Sequence, residues 1–557
     1  MKGFWLLLFL VPTLVWTANP APVEGSNGMV SSRSMIASQV GVEIMKMGGN
    51  AIDAAVATGF ALAVTYPSAG NLGGGGFMVI RLADGTVLSL DFRETAPAAA
   101  NRDMYLDDQK NVVKDLSTLS HKAIGVPGSV DGLLAALEKY GSLDRRKILA
   151  PAIKLAREGF PLSADLARQF KGRHRFMKKH PASMAVFSKA GEAYKAGDLW
   201  RQPDLAATLE RIAQQGRDGF YKGKTADLIV AEMERAQGLI SHKDLANYRS
   251  VWRDPLKGQY KGHTIWSMPP PSSGGVLLIQ MLNMLQPYDL KEMGWGSAAA
   301  IHLMVEAQKR AYADRASHLG DPDFYEVPLT KLTDPDYARK RFADVSLDKA
   351  SPSEAIGAGQ FTESMETTHY SVVDGKGNAV ACTTTLNWGY GSQIVVTGAG
   401  FLLNNEMDDF SVKPGEPNTY NLLGGVANEI QPGKRMLSSM TPTIVTKDGE
   451  LLLVTGSPGG STIINTVLQV IINVVDHEMS VEDAVGIGRF HHQWFPDQVR
   501  YERFAISPDT LAILTQKGHR DLREISYQMG DANTILIEKG KILGMSDPRN
   551  QGGSAGF

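Results

Sequence analysis

The sequence predicts a layered α/β protein, and three features carry that prediction. Strand-like and helix-like segments alternate in both halves of the chain instead of forming separate blocks. At 557 residues the chain is too long for one ordinary core, so it forms either two domains or one large layered unit. Finally, "ELLLVTGSPGGSTIINTVLQVIINVVD", from residue 450, reads as a buried strand, a Gly-rich turn and a helix.

The elements follow in order. "MKGFWLLLFLVPTLVWTANPAP" opens with one lysine, a short apolar run and small residues near Ala18. Pro12 breaks the run, which suits a secretory signal over residues 1–18 better than a membrane span, although Trp16 sits where a small residue is usual. No later segment is apolar enough to span, so a soluble, periplasmic or secreted protein is expected. "ASQVGVEIMKMGGNAIDAAVATGFALAVTYP" predicts two helices. Gly48 and Gly49 end the first, and Asn50 caps the second, whose apolar residues run all round it. "NLGGGGFMVIRLADGTVLSLDFRE" predicts two strands joined at Asp84-Gly85. Residues 140 to 350 read as mainly helical. "SPSEAIGAGQFTESME", Ser351 to Glu366, is polar and poor in aliphatics, as in an exposed, mobile segment. "THYSVV" and "AVACTTTL" then flank "DGKGN" as a hairpin.

Composition excludes some functions. Lys and Arg total 57 against 59 Asp and Glu, a net charge of −2, which provides no field to gather nucleic acid. The basic run Lys171–His180 reads as a solvated helix face, since no aromatic stacking platform accompanies it. Cys382 is the only cysteine, so an internal disulfide is impossible, and its mid-strand position suits a small buried apolar residue.

The chemistry starts at Thr367. Folding the hairpin about Lys376-Gly377 pairs residues whose numbers sum to about 753, which sets Thr367 opposite the Thr385–Asn387 end. Threonine is a common strand residue, and by itself the pair is ordinary. A threonine that follows loose chain and begins a strand nevertheless suits an N-terminal nucleophile. Cutting the Glu366–Thr367 bond frees an α-amine whose ordinary pKa of about 7.7–8.0 lets it take the hydroxyl proton. Thr385 would orient that hydroxyl. "GSPGGS", Gly456–Ser461, aims backbone N–H groups outward at a helix N-terminus, where they can stabilise an oxyanion. "LLNNEMDDF" supplies Glu406, Asp408 and Asp409 for a metal or, better in the absence of a histidine partner, a substrate ammonium. The adjacent histidines of "HHQW" would point to opposite faces of a strand and make a poor metal site. Arg93, with Ser438 and Ser439, suits a carboxylate. Such a constellation fits an amino-acid head group held beside its own side-chain amide.

"TTHYSVVDGKGNAV", "TLN", "LLNNEMDDF", "MLSSMTPTIV", "TGSPGGS" and "RFHHQW", with "GGNAIDAAVATGFAL", "NLGGGGFM" and "LDFRETAP" upstream, resemble the γ-glutamyltranspeptidases among the N-terminal-nucleophile hydrolases. The resemblance runs from about Gly28 to the end. It implies a four-layer αββα sandwich whose precursor cuts itself before Thr367. The products are a large subunit, 19–366, and a small catalytic subunit, 367–557, which remain intertwined. It further implies Thr367 as nucleophile, Thr385 as its partner, and Asn387, Glu406 and Asp409 around the α-ammonium. Arg93, Ser438 and Ser439 take the α-carboxylate, and Gly459 and Gly460 the oxyanion. Lys413–Gly425 corresponds to a lid loop, with Tyr420 closing over the glutamyl group. Glutathione and related γ-glutamyl compounds would be donors, water, amino acids or dipeptides acceptors, with no cofactor and no metal. Two positions depart from the family pattern: Glu406, where some members carry Gln, and "WGYG" after Asn387, which bears on the acceptor side. Two other readings are a related amidase, such as a β-lactam side-chain acylase, which should lack the Arg93, Asp409 and Ser438-Ser439 clamp, and a secreted binding protein without self-cleavage.

Overall fold

The computed structural model describes residues 19–356, 367–413 and 425–557. Two seven-stranded sheets form its centre. The first is antiparallel and runs, edge to edge, through Gly553–Gly556, Gly28–Ser32, Thr368–Asp374, Ala379–Thr385, Gly75–Arg81, Val87–Asp91 and Val251–Arg253. The second runs through Val23–Gly25, Lys541–Met545, Thr534–Glu538, Glu450–Thr455, Thr443–Lys447, His263–Ser267 and Leu256–Tyr260.

Period-2 alternation gives each sheet two apolar faces. Val372, Val380 and Cys382 point outward from the first sheet into a core shared with the helices Met35–Lys46 and Ala51–Thr65. Their neighbours Val373, Ala379 and Ala381 point inward to meet Ile444, Val454 and Ile535 of the second sheet. The second sheet's other face, with Val445, Leu453 and Leu536, packs on the helices Gly274–Leu285, Ala298–His318 and Thr462–Val475. Three successive apolar layers separate helix, sheet, sheet and helix, which is the αββα order.

The local expectations are met in most places. Asn50 caps the helix Ala51–Thr65 in a reciprocal capping box with Asp53, and every residue of that helix is buried. The hairpin folds one residue earlier than expected: Thr368 faces Thr384, so paired numbers sum to 752. Its loop has three residues instead of two, closed by Asp374 N–H to Asn378 O at 3.0 Å, and Gly377 takes φ +84°. Asp374 also accepts a hydrogen bond from Ala51 N at 3.0 Å, which ties this turn to the N-terminus of the buried helix.

Two expectations need correction. The stretch read as mainly helical is so, but it also contains the strands Val251–Arg253, Leu256–Tyr260 and His263–Ser267. "LKGQY" and "HTIWS" alternate strictly between the packed and the open face, a pattern too short to stand out among helices. The segment from Ser351 begins docked, not exposed. Ser353 donates its N–H to Asp497 at 3.0 Å, its carbonyl accepts from Trp494 Nε1 at 2.8 Å, and Ile356 is buried. Residues 357–366 lie outside the described residues, as do the signal segment 1–18 and residues 414–424. Among the described residues no helix is long and apolar enough to cross a membrane.

Candidate active site

The site lies where the central hairpin of the first sheet meets the turn that leaves the second. Thr367 immediately precedes the strand Thr368–Asp374, and continuing its register brings it to Thr385, with the two hydroxyls 3.5 Å apart. That separation is long for a hydrogen bond and leaves the Thr367 oxygen loosely held. Thr385 Oγ1 accepts the Asn387 N–H at 2.8 Å. Asn387 takes φ +72°, a left-handed turn that asparagine tolerates, and donates its side-chain amide to Asn405 O at 3.0 Å. Asn404 bonds both Gly73 O and Gly125 O at 2.8 Å. Asn405 therefore ties the short turn Glu406–Asp409 to the end of the hairpin, and Asn404 ties it to the backbone at Gly73 and Gly125.

That turn delivers Glu406 and Asp409 to Arg93, which ion-pairs with both and is fully buried. The residues expected to hold opposite ends of a head group thus hold each other. Glu94, also fully buried, lies 3.6 Å from Arg93, and neither of its oxygens finds a hydrogen bond among the described residues. Three carboxylates around one guanidinium crowd negative charge, and burial raises all three. Desolvation, opposed by Arg93, pushes Glu94 up to about 8, and Glu406 and Asp409 also move above the usual carboxylate range. Asp408 turns away from this cluster and accepts a hydrogen bond from Ser117.

Ser438 and Ser439 complete the far wall. Ser439 Oγ accepts from Arg315 Nη2 at 3.2 Å, and Arg315 Nε reaches Ser273 Oγ at 2.9 Å. In the "GSPGGS" turn the carbonyls of Gly459 and Gly460 accept the N–H groups of Thr462 and Ile463, at 3.1 Å each, which start the helix. Both glycines have positive φ, +129° and +57°, a backbone course that only glycine follows easily. Every expected site residue within the described residues lines one cavity of about 20 Å³, Asp408 and Gly459 excepted, and Met440 and Ile463 join them. That volume is room for about one water. Glu366 and Tyr420 lie outside the described residues.

Other motifs have structural partners. His491 Nδ1 accepts from Asn465 and His492 Nε2 reaches Asp497 at 3.1 Å. Burial pushes the Cys382 thiol up to about 12, inside the helix–sheet core. Sequence reading missed Glu94, Arg315, Met440, Ile463 and His369. Glu94 beside Arg93 in "DFRE", His369 two residues past Thr367 and Met440 after Ser439 offered a local signal; Arg315 and Ile463 reach the site through packing.

An αββα sandwich with a buried threonine at the head of a central strand, facing a glycine turn, defines an N-terminal-nucleophile hydrolase. A family model described as gamma-glutamyltranspeptidase matches residues 37–557, and the chain belongs to that family. It is 52% identical over 533 residues to the glutathione hydrolase proenzyme of Escherichia coli (strain K12), covering 95% of this chain and 91% of that one. Among solved structures, it is similar to cephalosporin acylase from Bacillus halodurans, with TM-score 0.86, 26% identity and 99% of each chain covered. It is also similar to the gamma-glutamyltranspeptidase of Helicobacter pylori, with TM-score 0.58, 45% identity and coverage of 62% of this chain and 97% of that one.

Proposed function

We propose that this protein is a self-processing γ-glutamyl transferase and hydrolase acting on glutathione and related γ-glutamyl compounds, exported to the periplasm or secreted. The observation that carries the reading is one cavity that joins Thr367 to a buried cluster of Arg93, Glu406, Asp409, Ser438 and Ser439. In the precursor, the Thr367 hydroxyl attacks the Glu366 carbonyl, and the acyl group shifts from nitrogen to oxygen. Water then hydrolyses the ester, leaving a large subunit ending at 366 and a small one starting at 367. The freed α-amine takes the Thr367 hydroxyl proton as the oxygen attacks the γ-carbonyl. Gly459 and Gly460 N–H groups stabilise the tetrahedral oxyanion, and Thr385 orients the nucleophile. The amine passes its proton to the departing nitrogen, and the γ-glutamyl ester forms. Water, an amino acid or a dipeptide then takes the acyl group.

Head-group binding on this reading is an exchange. The substrate carboxylate replaces Glu406 and Asp409 on Arg93, with Ser438 and Ser439 adding hydroxyl donors. The two released carboxylates, with Asn387, receive the substrate ammonium. A side-chain acylase is supported by the cephalosporin acylase fold neighbour and by acylase relatives 38% identical to this chain. Those relatives are more distant than the Escherichia coli glutathione hydrolase proenzyme, and the zwitterion clamp argues against that reading. N-terminal sequencing of purified protein together with turnover of a γ-glutamyl anilide tests the reading. An active protein still joined at Glu366–Thr367 would contradict it.

A further inference from the structure

His369 sits two residues beyond Thr367, on the same inward face of the strand, and none of the steps above uses it. It is fully buried between the sheets. Its Nε2 lies 3.0 Å from Ser371 Oγ and its Nδ1 lies 2.8 Å from Thr383 Oγ1. Ser371 donates its own proton to Asn533 O at 2.8 Å, so it receives the Nε2–H, and Nδ1 accepts the Thr383 hydroxyl. The ring is thereby neutral and fixed in one tautomer and orientation. Desolvation agrees, lowering its pKa to about 3.

The Cε1–Nδ1–Cγ part of this ring lies against Gly456, where the oxyanion turn leaves the strand Glu450–Thr455. A Cβ at Gly456 has no room against the imidazole atoms Cε1, Nδ1 and Cγ. Farther along the turn, Ser457 Oγ accepts the Asp531 N–H at 2.9 Å. The turn is braced on other elements too, by Tyr312, which donates to Ser461 O, and by Gln493, which accepts from Ser461 Oγ at 2.8 Å, whereas the His369 contact ties it to the nucleophile's own strand.

The geometry points to His369 as a positioning residue that sets the distance between the Thr367 hydroxyl and the Gly459–Gly460 amides through its contact with Gly456. This inference rests on the proposed acyl-transfer reading. An imidazole held by two neutral hydrogen bonds is a spacer of fixed width, and displacement of the turn by about 1 Å costs on the order of 100-fold in rate. The head-group clamp stands on other elements, so binding is spared.

The test measures kcat and KM with γ-glutamyl-p-nitroanilide, normalised to the self-cleaved fraction. His369→Phe keeps the ring but loses both hydrogen bonds, and kcat is expected to fall roughly 10- to 100-fold with KM within about threefold. Its pH–rate profile keeps the wild-type shape, because His369 exchanges no proton. Gly456→Ala lowers kcat similarly, and adding His369→Ala to it restores about fivefold or more by making room for the methyl. If His369→Phe stays uncut, Ser371→Ala and Thr383→Val, each removing one hydrogen bond, still yield the same split between kcat and KM. A loss carried by KM, a changed pH profile, or additive losses in the double variant overturns the inference. Absence of turnover in the wild-type protein sinks the acyl-transfer reading instead, so the two failures are distinguishable.

Discussion

The two halves of the site are built from opposite materials. Around Thr367 the groups are neutral: hydroxyls, a neutral imidazole and glycine amides, held by hydrogen bonds between strands. Around Arg93 they are ionisable, with Glu94, Glu406 and Asp409 packed on one guanidinium. The neutral half holds the atoms that react, where a misplaced dipole costs rate. The charged half recognises a zwitterion, where an unpaired buried charge costs binding and stability. The lesson is that kcat and KM should come apart along the boundary between them.

The largest expected effect comes from the neutral half. Thr367→Ala should give a single uncut polypeptide with no γ-glutamyl turnover, seen on a denaturing gel and in the anilide assay. Two fragments from that variant would remove Thr367 from maturation. Next, Arg93→Ala should cost roughly 2–5 kcal/mol in kcat/KM, carried by KM, while most of the chain still self-cleaves. Equal loss of cleavage and binding would erase the boundary and indicate a folding defect.

A subtler test uses the proton balance of the charged half. Glu94 is raised from 4.5 to about 8 by burial, so the folded protein holds a proton that the unfolded chain has lost across that window. Its contribution to stability is present below pH 4.5 and drains as pH rises through about 8. Glu94→Gln should therefore raise the melting temperature by about 1–2 °C at pH 8 and leave it unchanged at pH 4, as calorimetry would show. The same variant should flatten the fall in KM expected as the carboxylates ionise to receive an ammonium. The smallest effect is a control outside both halves. Buried, high-pKa Cys382 should resist iodoacetamide, with turnover unchanged and no adduct by mass spectrometry.

Local signals were legible wherever one short segment carried them. Asn50 and the apolar run behind it announced the buried helix, and "DGKGN" announced the hairpin that carries Thr367 and Thr385. The register was off by one because a three-residue loop and a two-residue loop share the same Gly and Asn signals. The strands between Val251 and Ser267 were hidden among helices. Ser351–Ile356 looked loose because its anchors, Trp494 and Asp497, lie far along the chain.

By itself the sequence determined which residues have the chemistry: a threonine poised at a strand's start, a glycine turn before a helix, and charged residues of both signs suited to a head group. Those properties are intrinsic to residue type and to spacing of a few positions, which is how far local preference reaches. Tertiary structure alone decided that Arg93 pairs with Glu406 and Asp409, that Glu94 is left buried without a hydrogen-bond partner among the described residues, and that His369 stands against Gly456. These contacts join segments dozens to hundreds of residues apart, and only the stacking of two sheets, driven by burial of their inner faces, brings them within reach.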